Sequence, residues 1–500
     1  MKEPNERRPR KPNVLLIMTD QQRWDSLGAA GNRVIRTPNL DRIAFEGVRC
    51  VNPFLGNPFC MPARASILTG RYAHAHRLWD NGVTLPDETV TVAHRFAEHG
   101  YHTALIGKGH LTPHQLNGAL DSFARWEQPD ADDWHGPYFG FEEVWLTVGH
   151  NKPSGHYGAW LRREHPDSLP LFEKAAALKP STGAPMSWKS ALPVELHAST
   201  WIGDQTVAFL DRHHEDPFFL WVSFPDPHMP FCPPAPYHDA YPLDTVPLPL
   251  RQPGELDDKP PHFKAFSEGR VEGMGGRASP DLSAMTDEHV REIISHTYGM
   301  VSLIDDNLGR IFQKMDALGL FENTLVVFMS DHGELLGDHW LVGKGPFHYD
   351  SLIKIPLLWR FPEGRPAKPT VEGLLSNVDI APTILDYAGL PSLPDCQGRS
   401  MLAMIRDGQE ALGRERVLIE FDWRFIPGLH LKTIRTPRHK LTVYAHASYG
   451  ELYDLVEDPH ELVNRWDDPT YAKVRAELTA QLLDLLLETE GRLPPRLVPN

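Results

Sequence analysis

The chain has 500 residues, 41% of them hydrophobic and 23% charged, which supplies a sizeable core and excludes a globally disordered protein. Acidic residues outnumber basic ones by 66 to 50, which argues against a nucleic-acid binder that depends on a positive field. Four scattered cysteines exclude a disulfide framework, and no stretch approaches the roughly 18 apolar residues of a membrane span. Because no signal-peptide pattern is present either, we expect a cytoplasmic enzyme that does not interact with membranes.

Several short apolar runs predict buried strands of a parallel sheet. They are Asn13–Met18, Tyr101–Ile106, Phe218–Phe224, Leu325–Met329 and Ile355–Arg360. Helical patterns lie between them, and the clearest runs from about Asp287 to Leu318 with apolar residues spaced three and four apart. This alternation predicts an α/β fold, with a mostly parallel sheet and helices on both of its faces.

Two regions are poor in regular patterns, residues 112–190 and the segment from Pro225 to Pro261, which carries twelve prolines. We expect long loops there, of the kind that often build a substrate pocket. After about Pro394 the sequence instead predicts short antiparallel strands and a terminal helix from Tyr471 to Thr489. We therefore divide the chain into a catalytic domain, 1–393, and a C-terminal subdomain, 394–500, made of a small sheet and the helix.

Four of the predicted strands end in polar residues. The tips are Thr19-Asp20-Gln21, Gly107-Lys108-Gly109-His110, Pro225-Asp226-Pro227-His228 and Ser330-Asp331-His332. In an open parallel sheet, sites form beyond the carboxyl ends of the strands, so these tips can meet in one crevice. A single aspartate after a strand is usually a helix cap or turn former, but two carboxylates and an imidazole together suit a divalent metal. The tips therefore predict a shared site in which lysine and histidine supply positive charge and proton transfer.

The segment from Asn57 to Arg71 predicts a helix, because Pro62 suits its first turn and Gly70 its end. Cys60 then lies at the helix N-terminus, where unpaired N–H groups stabilise an ionised group, with Arg64 one turn on. A buried structural cysteine is the simplest alternative. A phosphatase-type thiolate is another, but that pattern needs arginine six positions after the cysteine, where this chain has Ser66.

Cys60-x-Pro-x-Arg64, followed by Ala-Ser-Ile-Leu-Thr-Gly-Arg71, resembles the signature of type I sulfatases, in which the cysteine is oxidised to formylglycine. Other segments occur in the order found in that family over nearly the whole chain: NVLLIMTDQQRWDSLG, TPNLDRIAFEGVRC, ALIGKGH, DPHMPF, SDHGELLGDH, VGKGPFHYDS and ELYDLVEDPHE. The resemblance implies an alkaline-phosphatase-like fold, a large mostly parallel sheet flanked by helices with a small C-terminal antiparallel sheet subdomain. It also implies hydrolysis of a small-molecule sulfate ester.

The resemblance further implies that formylglycine made from Cys60 is the nucleophile, one hydroxyl of its hydrated aldehyde attacking sulfur. One divalent metal would be held by Asp20, Cys60, Asp331 and His332. Arg64 and His110 would act on the hydrated aldehyde, and His228 would protonate the leaving group. Lys108 and Lys344 would bind the sulfate oxygens. Gln21 would lie beside the metal at the substrate site, and Asn81 would contact the transferred group. The implied partner is a formylglycine-generating or anaerobic sulfatase-maturating enzyme. The sequence is also compatible with a homo-oligomer.

Two positions depart from many sulfatases, Gln21 in place of aspartate and His332 in place of asparagine. This set has less negative charge and one nitrogen ligand, so it shifts the expected metal from calcium (Ca2+) towards manganese (Mn2+). It resembles phosphonate monoester hydrolases, whereas the Gly107-Lys108-x-His110 tip has the sulfatase form. The sequence therefore favours hydrolysis of an aryl or alkyl sulfate, with a phosphonate monoester or phosphodiester hydrolase as the alternative. An unmodified metal-binding pseudoenzyme is disfavoured, because every expected catalytic position is filled.

Overall fold

The computed structural model describes residues 11–270, 280–423 and 429–491. The strands in chain order are β1 (Asn13–Thr19), β2 (Val48–Cys50), β3 (Pro53–Phe54), β4 (His102–Gly107), β5 (Glu143–Val148), β6 (Phe218–Ser223), β7 (Thr324–Ser330), β8 (Leu357–Arg360), β9 (Thr370–Val371), β10 (Leu375–Ser376), β11 (Val417–Asp422), β12 (His430–Arg435), β13 (His439–Tyr444) and β14 (Gly450–Asp454). The α-helices are α1 (Pro38–Glu46), α2 (Cys60–Thr69), α3 (Ala73–His76), α4 (Val92–Glu98), α5 (Gly155–Glu164), α6 (Ala198–His213), α7 (Pro261–Ser267), α8 (Asp287–Ala317), α9 (Asp350–Ile353), α10 (Ile380–Tyr387), α11 (Leu402–Asp407) and α12 (Ala472–Glu488). Within the described ranges, no helix combines the length and the hydropathy that crossing a membrane requires.

An eight-stranded sheet in the order β5-β4-β6-β1-β7-β8-β2-β9 forms the centre of the molecule. The middle strand β1 is fully buried and pairs in parallel with both β6 and β7, which confirms the predicted sheet. The register aligns Thr19 with Ser330 and Met18 with Ser223. The residues after these three strands consequently emerge side by side at one edge of the sheet.

Side chains of β1 alternate between two cores, as the pleat of a strand requires. Leu16 packs with helices α2, α4 and α10 on one face of the sheet. Leu15 packs with α1, α6 and the long helix α8 on the other face. Helices therefore cover both faces of the sheet, which confirms the predicted layers. Helix α2 packs against the sheet with its N-terminus at the carboxyl ends of the parallel strands.

Two local predictions are wrong. The run Ile355–Arg360 contains β8, but β8 pairs antiparallel with β7, because the intervening segment stays at the carboxyl ends of the strands and contains only short helical turns, α9 among them. A parallel strand would need a crossover of a dozen or more residues that returns the chain to the opposite edge. Residues 112–190, expected as loop, contain the edge strand β5, which pairs in parallel with β4, and helix α5.

The C-terminal part forms an antiparallel sheet in the order β11-β12-β13-β14, as expected. Helix α12 covers it by packing Leu478, Leu482 and Leu485 against the apolar face of the sheet. On its other side, the ring of Phe421 packs edge-on against Phe59 with centroids 4.7 Å apart. Since Phe59 directly precedes Cys60, the small sheet supports the start of helix α2.

Replacing Gly107, at the end of β4, is expected to be strongly destabilising. Its φ is +112°, and a Cβ there would lie 1.9 Å from the backbone oxygen of Ser223 in the neighbouring strand. Gly107→Ala should lower the free energy of unfolding by roughly 3 to 5 kcal/mol, measured by urea denaturation. Gly118→Ala is the matched control, because Gly118 also has a positive φ, +83°, but nothing lies within 4 Å of its added Cβ. Its cost should be about 1 kcal/mol, and equal losses in both variants would contradict the steric argument.

Candidate active site

The predicted strand tips and the start of helix α2 meet in one buried cluster. Asp20, Cys60, Asp331 and His332 each offer a ligand atom, and these atoms all lie within 4.8 Å of one another. All four residues are buried, with Asp20 and Asp331 0% exposed. The structure therefore brings together the four residues expected to hold a metal. A second group of potential ligands, His102, Glu143 and His213, is partly exposed and includes the first residues of β4 and β5.

Helix α2 begins at Cys60, after the extended residue Phe59, and ends before Gly70, whose φ is +65°. The N-cap side chain makes no capping hydrogen bond. Instead Asn81 accepts a hydrogen bond from the backbone N of Met61 through Oδ1, at 3.1 Å. Asn81 therefore satisfies one of the free N–H groups in the first turn and lies beside Cys60.

Arg64 connects the two carboxylates of the cluster. Its Nε donates to Asp331 Oδ2 at 2.8 Å, and its Nη2 lies 3.4 Å from Asp20 Oδ2. Its Nη1 donates to the carbonyl oxygen of Lys108 and to Ser223 Oγ, both at 2.8 Å. One guanidinium thus contacts residues of four strand ends, and its rigid fork fixes the positions of both carboxylates.

Two lysines make the surroundings of Cys60 electropositive. Lys344 Nζ lies 2.8 Å from Cys60 Sγ and 2.8 Å from His332 Nε2. Lys108 forms an ion pair with Asp20 on the other side of the cluster. Burial raises the pKa of the Cys60 thiol, but the charges of Lys108, Lys344 and His332 outweigh it and hold that pKa well below its usual value. The site therefore stabilises an anion at this position.

His110 and His228 are buried close to Cys60, near enough for a charge on that residue to act on both imidazoles. Burial, followed by the charge of a neighbouring lysine, lowers the pKa of each imidazole. His228 Nδ1 donates to the carbonyl oxygen of Met229 at 2.6 Å, which directs its other nitrogen into the site. The backbone N of His110 donates to the buried carboxylate of Asp121 at 3.3 Å, which fixes the loop after β4.

Gln21 follows Asp20 with a φ of +69°. Its backbone N donates to Asp331 Oδ1 at 3.1 Å, and its side-chain Nε2 donates to the buried carboxylate of Glu334. Its Oε1 is buried and has no hydrogen-bond partner among the described residues. The two carboxylates and the nitrogen of His332 form a donor set that fits a hard or borderline divalent cation. The orphaned amide oxygen of Gln21, the residue after Asp20, is the kind of group that such a cation would complete.

The sequence analysis missed His150, which the structure places in the same site. Its ring stacks on His228, with centroids 3.6 Å apart and planes within 9°. Its Nε2 lies 3.1 Å from Lys108 Nζ. The signal was present in the sequence, because an apolar run in β5 is followed by a polar tip, Gly149-His150-Asn151, like those of the other strands.

Comparisons with known proteins agree with this geometry. The sulfatase family model matches residues 12–390, and a model of the C-terminal region of N-sulphoglucosamine sulphohydrolase matches residues 337–488. The multifunctional alkaline phosphatase superfamily protein PehA of Trinickia caryophylli is 30% identical over 96% of both chains. An arylsulfatase of Clostridium perfringens is 29% identical, covering 96% of this chain and 95% of its own.

Among solved structures, the phosphonate monoester hydrolase of Agrobacterium radiobacter superimposes with a TM-score of 0.80 and 29% identity. The match covers 97% of this chain and 100% of that one. The family match covers well over half of the chain and includes every residue of the buried cluster. The chain therefore belongs to the sulfatase family, hydrolases of the alkaline phosphatase superfamily.

Proposed function

We propose that the protein hydrolyses a small-molecule sulfate ester, through a formylglycine made from Cys60 and one divalent metal. The observation that carries the proposal is the position of Cys60 Sγ, 2.8 Å from Lys344 Nζ and 3.3 Å from His332 Nε2. The sulfur stands where an oxygen of the modified residue would lie. A nucleophile at this position lies next to His332, which is an expected metal ligand, and next to the ammonium group of Lys344, whose positive charge would attract a sulfate.

Asp20, Asp331, His332 and the modified Cys60 would hold the metal, with Gln21 Oε1 as a further oxygen beside it. When bound, the metal lowers the pKa of the nucleophilic hydroxyl and neutralises sulfate oxygens, and either Ca2+ or Mn2+ suits the donors. Arg64 keeps the two carboxylates in place by its three contacts with them and with the Lys108 carbonyl.

The remaining residues act on substrate. Lys108 and Lys344 would bind sulfate oxygens and stabilise the charge that develops on them. His110, whose Nδ1 is buried without a hydrogen-bond partner among the described residues, would take the proton from the second hydroxyl of the sulfated diol. Loss of that proton re-forms the aldehyde and expels sulfate. As a doubly protonated imidazolium, His228 would give its Nε2 proton to the departing alcohol oxygen and become neutral, while its Nδ1–H stays bonded to the Met229 carbonyl oxygen. Asn81, whose Oδ1 accepts a hydrogen bond from the backbone N of Met61 beside the nucleophile, would contact the transferred group.

The burial of Cys60 bears on when a maturation enzyme would act on it. Cys60 is only 2% exposed in the folded chain. A formylglycine-generating or anaerobic sulfatase-maturating enzyme would need the CxPxR segment in an accessible form. We therefore place the modification before the chain folds.

A second candidate function is hydrolysis of a phosphonate monoester or phosphodiester. Gln21 and His332 favour it, because this pair resembles the metal set of phosphonate monoester hydrolases. The similarity to the solved hydrolase of Agrobacterium radiobacter, at 29% identity, points the same way. The Lys108 and His110 tip, with two groups suited to sulfate, favours the sulfatase.

One kinetic comparison separates these candidates. The 4-nitrophenyl esters of sulfate and of phenylphosphonate share a leaving group, so a difference in kcat/KM reports the transferred group alone. We expect the sulfate to be the better substrate of protein with known formylglycine content. A better phosphonate would establish the second candidate, and a Cys60 that stays entirely unmodified, with no turnover of either ester, would support the pseudoenzyme.

His228→Ala is expected to impair poorly activated esters far more than activated ones. Loss of a general acid should lower kcat/KM for an alkyl sulfate by roughly 10²- to 10⁴-fold, but for 4-nitrophenyl sulfate by less than about tenfold, because nitrophenolate needs little protonation. The dependence of rate on leaving-group pKa across substituted phenyl sulfates measures this effect.

Lys344→Ala is the matched control. A lysine on the transferred sulfate stabilises charge whatever alcohol departs, so both substrates should lose roughly 10²- to 10³-fold. An unchanged leaving-group slope in His228→Ala would show that His228 only supports its loop. His110 would then be the next candidate for the acid.

A further inference from the structure

His150 has a defined tautomer in this site. An ammonium group can only donate hydrogen bonds, so Lys108 Nζ must be the donor across the 3.1 Å to His150 Nε2. Burial, then the positive charges of His228 and Lys108, hold the pKa of His150 well below its usual value, so the ring is neutral at neutral pH. The single ring proton therefore resides on Nδ1.

That Nδ1–H group is a donor without an acceptor. Nδ1 of His150 is buried and has no hydrogen-bond partner among the described residues. Leaving a buried donor unpaired costs free energy, and such groups recur where a ligand completes them. The contact with Lys108 and the stacking on His228 fix the orientation of the His150 ring, so the ring cannot rotate to bring its Nδ1–H group to another acceptor.

His150 and His228 line one small cavity, of about 40 Å³, beside the expected position of the leaving oxygen. Its wall also carries polar groups, among them Asn151, Ser190 and the carboxylate of Asp226. Tyr157 lines the same cavity, but its hydroxyl already donates to the carbonyl oxygen of Leu196 at 2.7 Å. A cavity of this size fits one or two hydroxyl-bearing carbons next to the scissile ester.

We propose that His150 is a substrate-binding residue, whose Nδ1–H donates to a hydroxyl oxygen adjacent to the ester oxygen. The preferred substrates are then monosulfates of vicinal diols. This inference rests on the proposed sulfatase function and adds the recognition of the alcohol to it. In this arrangement His228 protonates the departing ester oxygen, while His150 binds the hydroxyl oxygen on the adjacent carbon of the alcohol.

The test compares trans-2-hydroxycyclohexyl sulfate with cyclohexyl sulfate, which differ only in that hydroxyl. We expect wild-type enzyme to favour the hydroxylated ester in kcat/KM by roughly fivefold to tenfold. His150→Phe keeps a ring stacked on His228 but has no N–H, so the ratio should fall to about one. Tyr157→Phe is the matched control, and its ratio should stay at the wild-type value because the Tyr157 hydroxyl already has a partner. His150→Leu provides the same comparison if His150→Phe does not fold.

A wild-type ratio near one overturns the inference, whatever the variants do. So does a His150→Phe enzyme that loses activity equally on both esters, because the ring would then serve only to hold Lys108. If formylglycine-containing wild-type protein hydrolyses neither ester nor 4-nitrophenyl sulfate, the proposed function itself fails, and the inference with it. Turnover of both esters at equal rates instead refutes the inference alone.

Discussion

Cys60→Ala is expected to lower turnover by about 10⁴-fold or more while the protein stays folded, because removal of a covalent nucleophile removes the whole pathway. In active wild-type preparations, mass spectrometry of the tryptic peptide from Cys50 to Arg64 should show an aldehyde at position 60. The same peptide contains Cys50, which serves as an internal standard for an unmodified thiol.

Cys50→Ala is the control variant. Cys50 is buried away from the cluster in the main core, and burial raises the pKa of its thiol, so it is a structural cysteine. Its replacement should leave turnover within about threefold of wild type and lower stability only by the loss of packing. High activity in preparations whose Cys60 is entirely thiol would refute formylglycine as the nucleophile.

The strand tips were predictable because their chemistry depends on topology more than on side-chain detail. Once β1 and β7 are parallel neighbours, the pairing of Thr19 with Ser330 makes Asp20 and Asp331 adjacent, whatever else surrounds them. The position of Cys60 followed from helix-end signals in the same way, because Pro62 and Gly70 define the helix bounds locally.

What the sequence did not reveal depends on the path of the chain and on side-chain orientation. His150 was missed because β5, although as long as β4 and β6, lies in a region otherwise rich in loops, far along the chain from the other predicted strands. The direction of β8 depends on which edge of the sheet the segment after β7 occupies, and no local pattern encodes that. The contacts of Arg64 with both carboxylates depend on a buried rotamer that the motif alone does not specify.

Asp331→Asn is expected to abolish metal binding and to lower activity by at least about 10³-fold. The substitution keeps the shape of the side chain but removes the charge that Arg64 Nε contacts at 2.8 Å. It also replaces one carboxylate oxygen, which accepts hydrogen bonds from the backbone N of Gln21 and of His332, with a group that cannot neutralise a cation. Elemental analysis of the purified variant, compared with wild type after chelation and reconstitution, measures the metal directly.

Asp379→Asn distinguishes loss of a metal ligand from loss of a buried charge. Asp379 is 0% exposed, like Asp331, and pairs with Arg414 at 2.7 Å through Nε, but it lies outside the cluster. Both variants leave an arginine partly unpaired, so both should unfold at lower urea concentration. Only Asp331→Asn should lose metal and turnover, because only Asp331 combines the arginine contact with a ligand atom within 4.8 Å of Asp20, Cys60 and His332. Full activity of metal-free wild-type protein would contradict the metal site, whereas equal metal contents in the two variants would exclude Asp331 as a ligand.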